Sequence, residues 1–426
     1  HDISAKAYYS GVSDEGFEDS NVYRQHLEGL LLNNEIKALV ATTALGMGYD
    51  KPDLGFVIHY QAPGSIVAYY QQVGILLSGS EDDDIHEYFR RSAFPKERWV
   101  ISILEALEES DGLNTIELEE SVNLRRGQID QVVKFLSVDS PAPVIKNGSK
   151  WQRTPIFYRM DHDRIQRLTQ QRATEWREVQ DYLDETGCLM EFLARSLDDI
   201  DPKPCGRCAS CRGTNIVEPS FRRETAISAG RFLKHAETPL ECKKQVAKGA
   251  FEEYGFTGNL VENLRAEVGR ILSRWGDAGW GQIVADDKHN GHFRDELVDA
   301  VSEMITERWH PDPAPEWVTC VPSRNHPNLV PDYAERLAAA LNLPYLPVVQ
   351  KVRDNEQQKG QQNRFHQCRN LDGVFAIDGV VPEGPVLLVD DVVDSAWTLT
   401  VIAALLKQAG SSSVWPLALT TSSIGA

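Results

Sequence analysis

Apolar positions in the first ninety-odd residues fall into short runs separated by helical spacing: Ala5 to Tyr8, a helix through Tyr23 to Leu32, Ala38 to Thr42, Phe56 to His59 and Ile66 to Gln72. Strands alternating with helices predict a parallel α/β sheet. From Glu97 to Pro155 the rhythm changes to three helices, near 98 to 108, 115 to 121 and 125 to 137. They are followed by Val144-Ile145-Lys146-Asn147-Gly148-Ser149-Lys150-Trp151, whose apolar, turn and polar thirds predict a hairpin. A charged helix over about 161 to 186 leads into a cysteine-rich segment, and Pro219 opens a helical stretch without a motif. Alternation then returns in Trp317 to Val321, a helix at 331 to 341, Tyr345 to Val349, Gly373 to Ile377, Val386 to Val389, a helix at 398 to 408 and Val414 to Leu419. That is a second α/β domain.

Composition narrows the class. With 426 residues, 42% hydrophobic and 25% charged, the chain has material for about three domains and is neither disordered nor collagen-like. No apolar run approaches the roughly 18 residues that a membrane helix needs, so a soluble protein with no membrane partner is expected. The sequence starts at His1 without a basic and then apolar leader, and four of its seven cysteines fall within 24 residues. A reducing cytoplasmic compartment is therefore expected, with association to the nucleoid if the source is bacterial. The net charge of -19 argues against a uniformly basic nucleic-acid coat, yet residues 124 to 173 hold ten Lys/Arg against four Asp/Glu.

Cys188, Cys205, Cys208 and Cys211 are separated by sixteen, two and two residues, the last three in Pro-Cys-Gly-Arg-Cys-Ala-Ser-Cys. Tight turns at such spacing let four thiolates converge on one Zn²⁺, and a filled shell makes that zinc structural. Free or disulfide-bonded cysteines are the alternative. Cys242, Cys320 and Cys368 stand alone and read as ordinary buried thiols.

The basic island has its own pattern. Arg125, Arg126 and Gln128 fall in the first turn of the helix whose apolar face is Ile129, Val132, Val133 and Leu136. The second helix of a helix-turn-helix meets DNA with that turn, because its free N–H groups and arginines point at phosphates. The hairpin adds Lys146, Lys150, Trp151 and Arg153, an aromatic among cations that could stack on a base where strands separate. A solvated arginine face with Trp151 in the core fits the same pattern.

Leu39-Val40-Ala41-Thr42-Thr43-Ala44-Leu45-Gly46-Met47-Gly48-Tyr49-Asp50 places a loop of small and polar residues after an apolar run. This order resembles motif V of superfamily 2 helicases, and Ala68-Tyr69-Tyr70-Gln71-Gln72-Val73-Gly74 resembles the start of motif VI. With Ala7-Tyr8-Tyr9-Ser10-Gly11 and the four cysteines, residues 1 to about 211 resemble RecQ DNA helicases. The resemblance implies a second RecA-like domain that binds ATP through Thr43, Gly46, Gly48, Asp50, Gln71 and Gln72. It also implies a winged helix, here ahead of the zinc module, and single-stranded and forked DNA as partners. No G-x-x-x-x-G-K-[ST] loop or DExH box occurs, so the ATP phosphates and Mg²⁺ would be gripped by a first RecA-like domain outside this sequence. The chain alone is expected to hydrolyse no ATP. Ile75-Leu76-Leu77 follows Gly74 where motif VI would continue into its arginine segment.

Val386-Leu387-Leu388-Val389-Asp390-Asp391-Val392-Val393-Asp394-Ser395-Ala396-Trp397-Thr398 is an apolar run, two carboxylates, a small polar turn and a helix start. Carboxylates past a buried strand can hold ribose hydroxyls, and the following helix N-terminus can hold a phosphate. The same acids could merely decorate a strand end. The segment resembles the phosphoribosyl-pyrophosphate signature of type I phosphoribosyltransferases, with Ala396 where that family prefers Gly. Alanine there is expected to narrow the phosphate pocket or forbid a positive φ. Val321-Pro322-Ser323-Arg324 stands where a pyrophosphate loop would lie, and Gln361 to Arg364 with Arg369-Asn370 gives further similarity to ComF-like members. The resemblance implies Asp390 and Asp391 as the catalytic acids, and Ser323, Arg324, Asp394, Ser395, Ala396, Trp397 and Thr398 around phosphoribosyl pyrophosphate.

The expected whole is multidomain α/β plus α+β: a RecA-like parallel sheet over 1–97, a winged helix over 98–158, a helix and four-cysteine zinc module over 159–214, a helical connector over 215–267, and a type I phosphoribosyltransferase-like α/β domain over 268–426. A RecQ-like helicase fused to a phosphoribosyltransferase-like domain is the simplest function. A phosphoribosyltransferase alone, or a catalytically silent DNA-binding scaffold, remains as an alternative.

Overall fold

The computed structural model describes residues 5–14, 16–42, 45, 54, 57–70, 75–76, 81–215, 220–323 and 326–422. The chain divides into two compact units, His1–Phe94 with Arg159–Pro219, and Pro95–Tyr158 with Ser220–Ala426.

The first unit opens with β1 (Ala5–Tyr8), α1 (Ser20–Leu32) and β2 (Ala38–Ala41), and β1 pairs in parallel with β2, Ala5 opposite Ala38. Asp19 starts α1, its carboxylate accepting the Asn21 and Val22 N–H groups at 2.7 and 2.9 Å. Tyr23, Leu27 and Leu31, spaced by four, form the buried stripe. β3 (Ile58–His59) pairs in parallel with β4 (Ile75–Leu76), on either side of α2 (Ile66–Tyr70), and α3 (Glu81–Ser92) follows.

In the second unit, α4 (Glu97–Glu108), α5 (Thr115–Ser121) and α6 (Arg126–Ser137) surround a core of Val100, Ile103, Leu107, Leu118, Ile129 and Leu136, and the antiparallel hairpin of β5 (Val144–Asn147) and β6 (Lys150–Arg153) follows. A capping box starts α5: the Asn114 side chain accepts the Ile116 and Glu117 N–H groups while Glu117 accepts the Asn114 N–H.

The chain returns to the first unit with α7 (His162–Leu183), α8 (Leu189–Ser196) and α9 (Ala209–Arg212). Trp176, Val179 and Tyr182 of α7 and Leu193 of α8 bury against Ile66 and Tyr69 of α2. Asp83 of α3 accepts from Trp176 Nε1 and Gln180 Nε2 at 2.9 and 2.7 Å, tying α7 to α3.

The remainder runs α10 (Arg223–Lys234), β7 (Thr238–Leu240), β8 (Gly269–Arg274), α11 (Gly281–Asn290), α12 (Asp295–Glu303), β9 (Trp317–Cys320), α13 (Leu329–Ala340), β10 (Val349–Lys351), α14 (Arg364–Arg369), β11 (Phe375–Ile377), β12 (Val386–Val393), α15 (Trp397–Gln408) and β13 (Val414–Thr421). Five strands form one sheet in the order β7-β8-β13-β12-β9, all parallel except the edge strand β7. β12 has neighbours on both sides and is covered on both faces, so its apolar run is continuous rather than alternating. Val386 and Leu388 join the α15 side of the core, and Leu387 and Val389 the side of α11 to α13.

This domain begins earlier than the expected boundary at 268. β7 belongs to its sheet, and Leu240, Val246, Phe251 and Phe256 lie in its core. The expected helical connector is thus helical only over α10 before the chain enters the α/β domain.

Candidate functional site

The four cysteine sulfurs lie within 4.8 Å of one another, with Cys188 and Cys208 Sγ 3.9 Å apart. Tetrahedral coordination at a Zn–S length of about 2.3 Å sets sulfurs about 3.8 Å apart, so this donor set can hold a metal ion. Each helix start contributes. Cys188 precedes α8 and its Sγ receives the Glu191 and Cys205 N–H groups at 3.4 and 3.1 Å; Cys208 precedes α9 and receives the Cys211 N–H at 3.5 Å. The Cys211 N–H draws the Cys208 thiol down to about 6, against burial. Gly206 and Gly213, at φ 70° and 65°, supply the left-handed turns that fold this segment back on itself.

In the three-helix unit, Arg125 and Arg126 are exposed at the start of α6, as the spacing predicts. Gln128 is committed: its Oε1 accepts the Arg125 N–H at 2.8 Å, closing the helix end. Arg153 Nη1 donates to the Pro143 and Thr154 carbonyls at 2.8 and 3.0 Å. Trp151 is half-buried against the core, bridged by backbone to Leu113, with the Lys146 ammonium 5.5 Å from its ring centroid. Its ring packs in part against that core. Lys150 stays exposed while Nζ donates to the Gly112 carbonyl at 3.2 Å.

The third cluster stands at the carboxyl end of β12. Parallel pairing with β9 and the Val321 N–H to Val389 carbonyl bond (2.9 Å) bring Ser323 out at the same end as Asp390. Asp390 is partly buried and Asp391 is 9% exposed. Asp390 Oδ1 accepts the Asp391 N–H at 2.9 Å, and Asp391 Oδ1 accepts the Val392 N–H at 2.7 Å. Burial first, and then the Asp391 charge, push the Asp390 carboxyl well above the usual carboxylate range.

Past these acids Asp394 is exposed, Ser395 and Thr398 are half-exposed, and Trp397 is buried. Ala396 caps α15 with φ 59° and ψ 10°. The alanine thus adopts the left-handed conformation that the sequence reading expected it to forbid, at about 1–2 kcal/mol over glycine. The Thr400 hydroxyl donates to its carbonyl at 2.7 Å and helps fix the turn.

Lys288 was not singled out from the sequence, and Asn363 was given a different role. Lys288, in the last turn of α11, places Nζ 2.6 Å from Asp391 Oδ2 across 103 positions of sequence. Asn363 was read as part of a phosphoribosyltransferase pattern, yet its buried Nδ2 donates to the Glu119, Val122 and Leu124 carbonyls. Neither carries a local signal, because each partner is set by the fold. Thr43, Gly46, Gly48, Asp50, Gln71, Gln72 and Arg324 lie outside the described residues.

Residues 20–74 match the helicase conserved C-terminal domain family. Among curated proteins, the ATP-dependent DNA helicase RecQ of Bacillus subtilis is 25% identical over 225 residues, 53% of this chain and 27% of its own length. RecQ of Synechocystis is 25% identical over 233 residues, 49% of this chain and 44% of its own. The ATP-dependent DNA helicase Q-like 5 of Arabidopsis thaliana is 32% identical over 114 residues, 27% of this chain and 11% of its own. The chain thus spans less than half the length of these relatives. Its amino-terminal part carries a helicase conserved C-terminal domain segment similar to that of RecQ helicases.

Proposed function

We propose that this chain is the C-terminal portion of an ATP-dependent RecQ-like DNA helicase that translocates on single-stranded DNA and unwinds duplexes. The observation that carries the reading is the convergent tetrad of cysteines in the same compact unit as the helicase match. In this reading the tetrad holds a structural Zn²⁺. Motifs V and VI, through Thr43, Gly46, Gly48, Asp50, Gln71 and Gln72, face ATP in the intact protein, where the phosphate loop and Mg²⁺ come from the other RecA-like lobe. The three helices and hairpin act as a winged helix, with Arg125, Arg126, Lys146 and Lys150 on DNA phosphates. The chain alone binds DNA weakly and hydrolyses no ATP.

The test is a fluorescence-anisotropy titration of fork DNA with the chain and its Arg125→Ala, Arg126→Ala variant. Each lost phosphate contact lowers the salt dependence by about 0.9 in log K against log salt, so the double variant is expected to bind about tenfold or more weakly with a slope shallower by about 2. Unchanged affinity and slope would remove the winged helix from the DNA site. DNA-stimulated ATP hydrolysis by the chain alone would sink the reading of it as one lobe.

One observation favours a second activity in the same protein. Two carboxylates, followed by a left-handed turn into a helix N-terminus, stand at the carboxyl end of an interior parallel strand, where open α/β sheets bind ligands. We read this as a phosphoribosyltransferase-like site. Asp390 and Asp391 take the ribose hydroxyls, Ser395 and Thr398 the 5′-phosphate, and Ser323 and Arg324 the pyrophosphate, where Mg²⁺ would supply charge neutralisation.

A further inference from the structure

The strand-end cluster contains a cation that its motif does not. Lys288 Nζ meets Asp391 Oδ2 at 2.6 Å, with the lysine side chain 28% exposed and the aspartate side chain 12% exposed. The other Asp391 oxygen accepts the Val392 N–H, so the carboxylate is held at both oxygens. The backbone N–H of Asp391 in turn donates to Asp390 Oδ1. The ammonium thus meets one acid directly, and that residue's backbone holds the other.

Charge gives this arrangement a consequence. A phosphorylated sugar seated at the start of α15 brings its dianion beside Asp390 and Asp391. In a partly buried site that repulsion is screened far less than in water. A divalent cation can offset it, and so can a protein ammonium already in place. Burial and the Asp391 charge push the Asp390 carboxyl well above the usual carboxylate range, so the pair is already short of compensating positive charge before a ligand arrives.

We infer that Lys288 is the charge-balancing and positioning residue of the strand-end site, and that it lets the site take a phosphorylated ribose without a divalent cation. The inference rests on the phosphoribosyltransferase-like reading of Asp390 to Thr398. Lys288 touches Asp391 rather than the ligand: it fixes the carboxylate and cancels its charge, the service that Mg²⁺ would otherwise perform.

Calorimetric titration of the full chain with ribose 5-phosphate, in EDTA and in excess Mg²⁺, tests it on wild type, Lys288→Met and Lys288→Arg. Wild type is expected to bind in EDTA, with Mg²⁺ changing the affinity by no more than about threefold. Lys288→Met should bind about tenfold or more weakly in EDTA and recover in Mg²⁺, and Lys288→Arg should stay within about threefold of wild type. Recovery by the metal is the readout that a merely structural lysine would not give. A Lys288→Met chain that binds like wild type in EDTA, or is equally weak with and without Mg²⁺, overturns the role given to Lys288. Binding by wild type only in Mg²⁺ overturns it as well. Absence of binding by wild type under both conditions overturns the phosphoribosyltransferase-like reading itself and the inference with it.

Discussion

At the scale of single residues, the end of β12 trades stability for a poised site. Asp390 holds its proton more tightly in the folded chain than unfolded, because burial and the neighbouring Asp391 disfavour its charge. That raised folded-state value therefore costs stability wherever an unfolded aspartate is ionised. That cost is absent below about pH 4, where an unfolded aspartate is itself protonated, and grows as pH rises toward the raised folded-state value. Asp390→Asn should accordingly raise the thermal or urea unfolding midpoint at pH 7 and give no gain near pH 4. An equal gain at both pH values would assign the effect to packing rather than ionisation. The motif showed both acids and the turn, but not that Ala396 would be forced to φ 59°. Its conformation is imposed by the buried Trp397 after it and the Thr400 hydroxyl on its carbonyl, contacts that a residue-by-residue reading does not contain.

At the scale of elements, the three-helix unit and the α/β domain are joined by hydrogen bonds of two asparagines, Asn363 and Asn123. Asn363 has two amide protons and spends them on three carbonyls, of Glu119, Val122 and Leu124 at 2.8, 3.0 and 2.9 Å, so one is shared. The Gln362 N–H donates to Asn123 Oδ1 at 2.8 Å, and Asn123 Nδ2 reaches the Gly360 carbonyl. This seats the α5–α6 turn, and hence the start of α6, on the segment before α14. Asn363→Ala leaves buried carbonyls without donors and should destabilise the unit by about 2–4 kcal/mol in urea unfolding. Asn363→Asp should be worse, since a carboxylate presents no donor and repels those carbonyls. Near-wild-type stability of both would mean that the seat contributes nothing. Helices α4, α5 and α6 were legible almost to the residue because apolar spacing marks them. β7 was not legible. Thr238-Pro239-Leu240 is three residues with a proline, tolerated only because β7 lies at the sheet edge, and no alternation can announce so short a strand.

At the scale of the whole molecule, the two units rest on different physics. The α/β domain buries two large apolar clusters on either side of its sheet. The segment from Asp184 to Thr214 has little to bury: Leu193 is its fully buried side chain, while Ile200 is 99% exposed. For a stretch this poor in core, a metal bound to its four thiolates would supply folding free energy directly. The intact protein is expected to contain about one zinc per chain. Removing it with 1,10-phenanthroline should open cleavage by trypsin at Arg195, Arg207 or Arg212 first, and Cys188→Ser should reproduce that pattern without chelator. Fragments retaining residues 238–422 should survive, because none of the four cysteines enters either cluster of that domain. Unaltered digestion after complete zinc loss would show the tetrad to be dispensable for local folding. Simultaneous loss of the α/β domain would show that the metal supports more of the chain than the cores predict. The sequence already offered the four cysteines as a metal-ligand set, since their spacing is local. Which residues build the two cores of the α/β domain became legible only from the buried clusters, whose members come from positions more than 150 residues apart, as Val246 and Leu406 do.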